Sequence, residues 1–333
     1  MRHIPAIATN EFLRYVKRAL GFAIMLLCVA MTLFPRVHAQ QTEALRQQFL
    51  EFKTNAEAGD ADAQASLGRG YARGDGVEKD YAEALKWFRQ AAEQNEPKAQ
   101  HNLGVSYANG QGVERDFKEA VMWWRKAAEQ NFALAQFSLG RTYARGEGVE
   151  KNLAEAVTWY RKAAEQNHAE GQRVLGACYA NGEGVKKDDA EAVKWFRKAA
   201  EQNLPQAQVN LGGCYARGEG VKKDFAQAMP WFRKAADQNF AEGQFSVGLC
   251  FFNGHGVKKD FKEAVPWFRK AAEQNLAQAQ TLLGFCYSKG DGVKKDLKEA
   301  TQWYRKAAEQ NFAQAQLVLG ACYAQVMEFP KTR

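Results

Sequence analysis

The run WWRKAAEQN at Trp123–Asn131 returns along the chain at a fixed interval. Trp87, Trp123, Trp159, Trp195, Trp231, Trp267 and Trp303 stand 36 residues apart, which makes seven copies of one unit. A period in the range of roughly 20–50 residues denotes a solenoid or a similar array, not one closed core. Each unit of such an array touches only its neighbours, so a chain of 333 residues need not divide into conventional domains.

Residues 97–132 show how one unit folds. Pro97 suits a first helical turn, where its missing N–H is no loss. Ala99, Leu103, Gly104 and Tyr107 recur at helical spacing and form one apolar face. Gly110 is predicted to end this helix as a left-handed cap, Gly112 to turn the loop, and Val113 to plug the space between two helices. Asp116 and Glu119 form a capping-box start for a second helix. That pair recurs as Asp80/Glu83, Asn152/Glu155, Asp188/Glu191, Asp260/Glu263 and Asp296/Glu299, and as Asp224/Gln227 in one copy. Ala120, Trp123, Ala127 and Ala128 form the stripe predicted to be buried, the alanines admitting a close neighbour and the tryptophan filling the space enclosed. Gln130 and Asn131 end the helix.

Each unit is therefore expected to be a helical hairpin that buries its faces only by stacking. The units are 61–96, 97–132, 133–168, 169–204, 205–240, 241–276 and 277–312. Residues 313–324 repeat the first helix alone. Residues 40–60, with Phe49 and Phe52 facing inward, read as a degraded second helix that caps the N-terminal end. The tail, 325–333, is expected to fold back or to meet another molecule, because Leu317, Val318, Val326, Met327 and Phe329 leave that end apolar. Pro230 and Pro266 fall inside second helices, where a proline costs about 3 kcal/mol and kinks the helix.

The consensus A-x-A-x-x-x-L-G-x-x-Y-x-x-G-x-G-V-x-K-D-x-x-E-A-x-x-W-[FY]-x-K-A-A-E-Q resembles the Sel1-like repeat, a relative of the tetratricopeptide repeat. Leu67, Gly68, Tyr71, Gly74, Gly76, Val77, Lys79, Asp80, Glu83, Ala84, Trp87, Ala91, Ala92, Glu93 and Gln94 carry it in the first copy, and the match extends over residues 61–324. The resemblance implies an all-α fold, a right-handed α/α superhelix (solenoid) that binds partners on its concave side. It implies an adaptor, and for exported bacterial members a role in envelope signalling or host contact. It fixes no ligand.

The N-terminus reads as an address. Arg2, Arg14, Lys17 and Arg18 precede an uncharged run, Ala19–Phe34, and Val37-His38-Ala39 ends in a cleavable pattern, so residues 1–39 are expected to be a secretory signal peptide. The run is shorter than the roughly 20 residues a spanning helix needs. The alternative is an uncleaved anchor. The formal net charge is +8 and falls to +4 without residues 1–39, which hold five Lys/Arg and one acid. That excess is too small to argue for nucleic acid.

No catalytic or metal signature emerges. His101, His168 and His255 occupy three different places in the repeat. H-E-x-x-H, C-x-x-C, the phosphate-loop pattern, S-x-x-K and K-T-G are all absent from the sequence. The Gly-x-Gly pairs, such as Gly146/Gly148, read as helix stops and turns. Cys178, Cys214, Cys250, Cys286 and Cys322 occupy one position in successive first helices, where Gly70, Ser106 and Thr142 stand earlier. Equivalent helices about 8–10 Å apart exceed the roughly 7 Å Cα separation a disulfide tolerates, so free buried thiols are expected and no disulfide. Some secreted relatives close each hairpin with two cysteines per repeat, and this chain lacks the second. No cofactor and no enzyme activity are expected. A glycan, peptidoglycan or β-lactam binder is the alternative.

Function should show where the copies differ. The second, fifth and ninth residues of each first helix vary most and share one face. The fifth includes Ala65, His101, Phe137, Arg173, Val209, Phe245, Thr281 and Leu317; the ninth includes Arg69, Arg141, Gly213, Leu249 and Phe285. Arg73, Arg145 and Arg217 stand near the loop mouths, with Phe252 close by. The resemblance places this face in the concave groove, basic early (Arg69, Arg73, Arg141, Arg145, Arg173) and apolar late (Val209, Phe245, Leu249, Phe252, Phe285, Leu317). The expected partner is a protein or an extended peptide with acidic and apolar parts. A second feature is an edge of paired lysines, Lys186/Lys187, Lys222/Lys223, Lys258/Lys259 and Lys294/Lys295, where earlier copies carry Glu-Lys or Glu-Arg. An anionic envelope or host-cell surface would suit it.

Overall fold

The computed structural model describes residues 43–328; the targeting segment read at 1–39 and the final tail residues 329–333 lie outside them. The described residues hold helices and no strand. α1 covers residues 43–57. Pairs then follow: α2 (Ala61–Arg73) and α3 (Tyr81–Glu93), α4 (Pro97–Asn109) and α5 (Phe117–Glu129), α6 (Ala133–Arg145) and α7 (Leu153–Glu165), α8 (Ala169–Asn181) and α9 (Asp189–Glu201). The last are α10 (Pro205–Arg217) and α11 (Phe225–Asp237), α12 (Ala241–Asn253) and α13 (Phe261–Glu273), α14 (Ala277–Lys289) and α15 (Leu297–Glu309), with α16 (Ala313–Glu328) unpaired. The chain divides after Gln130 into two compact units, α1–α5 and α6–α16. Within each, a first helix packs on its second helix, and the second on the next first helix. The class is an all-α solenoid of helix-turn-helix repeats.

Helix length is set by punctuation. First helices end at a glycine in the left-handed region, such as Gly110 at φ +69° and Gly218 at φ +78°. In α16 that register position is Val326, which disfavours a left-handed cap, and the helix runs on to Glu328. Residues 325–328 therefore continue the helix and do not turn back. Second helices start where an aspartate caps them: Asp116 Oδ1 accepts from the N–H of Lys118 at 2.8 Å and of Glu119 at 3.1 Å. α11 and α13 run through Pro230 and Pro266, and both prolines are exposed.

The core is built on a contact that the repeat spells twice. Leu103 is fully buried, and Gly104 follows it. A Cβ on Gly104 would stand 2.5 Å from Trp124 Nε1, so the glycine exists to admit that ring. The same pairing joins Gly68 to Phe88, Gly140 to Tyr160, Gly212 to Phe232 and Gly248 to Phe268. The residue after the repeated tryptophan is thus the constant core aromatic. The tryptophans themselves divide: Trp159, Trp195 and Trp303 are buried, while Trp87, Trp123, Trp231 and Trp267 are half-buried. A lysine three residues on covers each of six of these rings, as with Lys162 at 4.0 Å from the Trp159 centroid and Lys270 at 4.5 Å from Trp267.

An amide ladder ties the repeats together. Gln94 Nε2 donates to Gln64 Oε1 at 2.8 Å and Gln130 to Gln100 at 2.8 Å in the first unit. Gln202 to Gln172 at 2.7 Å and Gln238 to Gln208 at 2.8 Å continue the pattern in the second. Asn203, at φ +65°, accepts from both Gln208 and Gln238. Arginine-to-tyrosine bonds add a second link, as from Arg197 Nη2 to the Tyr215 hydroxyl at 2.6 Å.

Cys178, Cys214, Cys250 and Cys286 are free and buried. Burial pushes the first three thiols up to about 11 and Cys286 up to about 12. Cys322 is half-buried.

Candidate functional site

Once the glycines, alanines, amides and core aromatics are assigned to the scaffold, the fifth, ninth and thirteenth residues of the first helices remain. In the second unit they do line grooves between neighbouring first helices. A groove of about 420 Å³ lies between α10 and α12 and includes Val209, Gly213, Arg217, Leu249 and Asn253. Another of about 380 Å³ lies between α8 and α10, with Ala177, Asn181, Arg217 and Glu219 in its walls. In the first unit, Arg69 and Arg73 border a small pocket of about 160 Å³ between α1 and α2, with Phe49 and Phe52 opposite.

The structure does not give all these positions the same role. Ala65 and Thr281 are buried, so the fifth place is not open in every copy. Phe137 is half-buried against Tyr160 and the His168 ring, at 5.7 and 4.9 Å between centroids. Phe245 rests on the fully buried Phe268 at 5.9 Å. Phe252 stands among Phe261, Phe268 and Phe285. Several aromatic groove residues are thus partly spent on packing, because neighbouring rings fill space that Ala leaves in other copies. His101 is half-buried, and its carbonyl accepts from Trp124 Nε1. Leu317 is 76% exposed, the most open large apolar side chain described.

The basic character is also reduced by local pairing. Arg145 meets Glu147 at 3.7 Å, and Arg173 meets Glu170 at 2.6 Å. Arg217 donates to both oxygens of Glu219, at 2.8 and 2.7 Å, and that bond holds the Glu219 carboxyl below its usual range. Arg69, Arg73 and Arg141 are exposed and form no ion pair among the described residues. His168 caps α8 through Nδ1, which accepts from the Gly171 N–H at 3.0 Å; burial lowers its pKa.

The lysine pairs split into two kinds. The second lysine serves the loop itself: Lys187 meets Asp189 at 3.5 Å, Lys223 covers Phe225 at 5.2 Å and Lys259 covers Phe261 at 4.6 Å. Lys186, Lys222, Lys258 and Lys294 are exposed, as is Lys295.

One feature escaped the sequence reading. His255 is the middle residue of a Gly-x-Gly loop, and its ring stacks on Phe225 at 4.2 Å and 21°. The equivalent residues are Asp75, Gln111, Glu147, Glu183, Glu219 and Asp291, so comparing the loops would have shown the exchange. Among the described residues no cluster of three His, Cys, Asp or Glu could hold a metal ion. No described helix is long and apolar enough to cross a membrane.

Stacked helical hairpins with a constant frame and a variable first-helix face define an α-solenoid repeat protein. The Sel1 repeat family model matches residues 61–96, 97–132, 133–168, 169–204, 205–240, 241–276 and 277–312, and the chain belongs to that family. It is similar to a protective antigen of uropathogenic Escherichia coli strains displaying an SLR fold, with 39% identity and a TM-score of 0.75 over 83% of this chain. The chain spans 59% of that protein. It is also similar to a Sel1 repeat protein from Oxalobacter formigenes, with 34% identity and a TM-score of 0.67, over 73% of this chain and 96% of the other. No curated protein matches it. Sel1 repeat proteins are generally protein-interaction scaffolds.

Proposed function

We propose that the protein is an exported adaptor that binds a partner protein or peptide along its first-helix face and catalyses nothing. The observation that carries this reading is the division of labour within the repeat. Positions that are the same in every copy are buried or bonded to the frame, and positions that differ border the grooves between α8, α10 and α12. Leu249 and Phe285 are the clean test positions, since Phe245 is tied to the core through Phe268. Changing Leu249 and Phe285 to Ala should abolish partner capture from the native envelope while the thermal unfolding curve stays in place. Capture at the wild-type level by a folded double variant would refute the assignment of the face.

Export is supported by the composition of residues 1–39. Sequencing the N-terminus of protein recovered from the periplasm or the medium should read from Gln40; a start at Met1 would contradict cleavage. A second reading, contact with an anionic surface, is favoured by Lys186, Lys222, Lys258 and Lys294, one exposed lysine per repeat without a described partner. Sedimentation with phosphatidylglycerol vesicles should then fall steeply as salt rises.

A further inference from the structure

The groove between α10 and α12 differs from every other place along the chain in three ways, and together they specify what it would hold. The ninth residue of α10 is Gly213, where other first helices carry Arg69, Val105, Arg141, Ala177, Leu249, Phe285 and Ala321. A Cβ there would lie 2.9 Å from Arg217 Nη1 and 3.3 Å from Nη2, so the guanidinium occupies the room that a side chain takes elsewhere. Glu219 fixes it from one side, accepting from Nε and Nη2. Nη1 is left over Gly213 with no partner among the described residues.

The second difference is the wall. Val209 and Leu249 face the groove, and Phe225 with the stacked His255 ring closes one end. The third is charge. No carboxylate lines this groove, because His255 replaces the acid or amide of the other loops. The neighbouring groove between α8 and α10 holds both Asp189 and Glu219. Lys222, Lys223, Lys258 and Lys259 lie on the two loops that flank the site.

We propose that this groove anchors a partner peptide in which a leucine- or phenylalanine-sized side chain stands next to a carboxylate. The apolar side chain enters between Val209 and Leu249, and the carboxylate accepts from Arg217 Nη1 in a charge-assisted bond. Glu219 is the positioning residue: it holds the guanidinium flat over Gly213 so that its open edge faces the groove. The volume of about 420 Å³ falls within the roughly 300–1,000 Å³ of clefts that take small ligands. This proposal rests on the reading of the first-helix face as the binding surface.

The test is a displayed library of random short peptides panned on the full chain, followed by fluorescence polarisation with the enriched sequences made synthetically. Enriched peptides should carry Leu or Phe beside Asp or Glu. Gly213→Leu fills the floor and displaces only the mobile end of Arg217, and Leu249 and Phe285 occupy the same place in other copies, so the fold is retained. That variant, and Arg217→Gln, should each bind those peptides about ten- to a hundred-fold more weakly, the loss of one charge-assisted bond. Enriched peptides without a carboxylate, or equal binding by Gly213→Leu, would overturn the site and leave the binding face standing. Enrichment of no sequence at all would overturn both.

Discussion

Asn203 answers to two demands at once. Its backbone sits at φ +65°, which most side chains resist, and its Oδ1 accepts from Gln208 and Gln238, which glycine cannot do. Asn203→Ala loses the bonds and keeps the strain, at a cost of about 2 kcal/mol. Asn203→Gly loses the bonds alone and should fall between that variant and the wild type in urea unfolding; the reverse order would refute the account of the ladder. His168 gives the pH dependence at this scale. Its folded pKa is lowered, chiefly by burial, so between the two values the unfolded chain binds the proton more readily. Its contribution to stability is complete above the unfolded value, near 6.5, and declines as pH falls through the lower folded value. His168→Asn keeps an acceptor at the cap of α8 without titrating. The urea midpoint of the wild type should drop more between neutral and mildly acidic pH than that of the variant. Parallel curves would contradict this.

At the scale of the helices, capping explains why boundaries were legible from sequence. Aspartate with a glutamate three residues on, and glycine thirteen residues after a helix starts, act within one turn and need no neighbour. The amide ladder was not legible, because Gln130 and Asn131 look like punctuation until the next repeat is stacked. Gln130 bonds Gln100 and Asn95, 30 and 35 residues away. The role of Gly104 was half legible: it belonged to the apolar face, but only the approach of Trp124 shows that a missing Cβ is what counts. For the same reason the core aromatic was placed one residue early, at the invariant tryptophan. Two elements carry a built-in weakness. Pro230 and Pro266 remove a helical hydrogen bond from α11 and α13. Since Pro230 is exposed, Pro230→Ala should raise stability by about 1–3 kcal/mol. An unchanged or lower unfolding midpoint would mean that the ring is needed where it stands.

Over the whole molecule, the frame repeats while the first-helix face changes from copy to copy, and that contrast is what the functional reading depends on. The candidate groove was legible as a set of positions, since copies of one unit can be compared within a single chain. Its chemistry was not: pairing of Arg145, Arg173 and Arg217 with nearby carboxylates, and packing of Phe245 and Phe252 on other rings, appear only in three dimensions. The most direct test places a photoreactive benzoylphenylalanine at Leu249 in the groove, or at the exposed Pro230 on a second helix, in cells that natively make the protein. Copy seven already carries Phe285 at the equivalent of Leu249, so an aromatic side chain fits there. The account predicts a discrete crosslinked partner from position 249 and none from position 230. A partner captured from position 230 alone would contradict it.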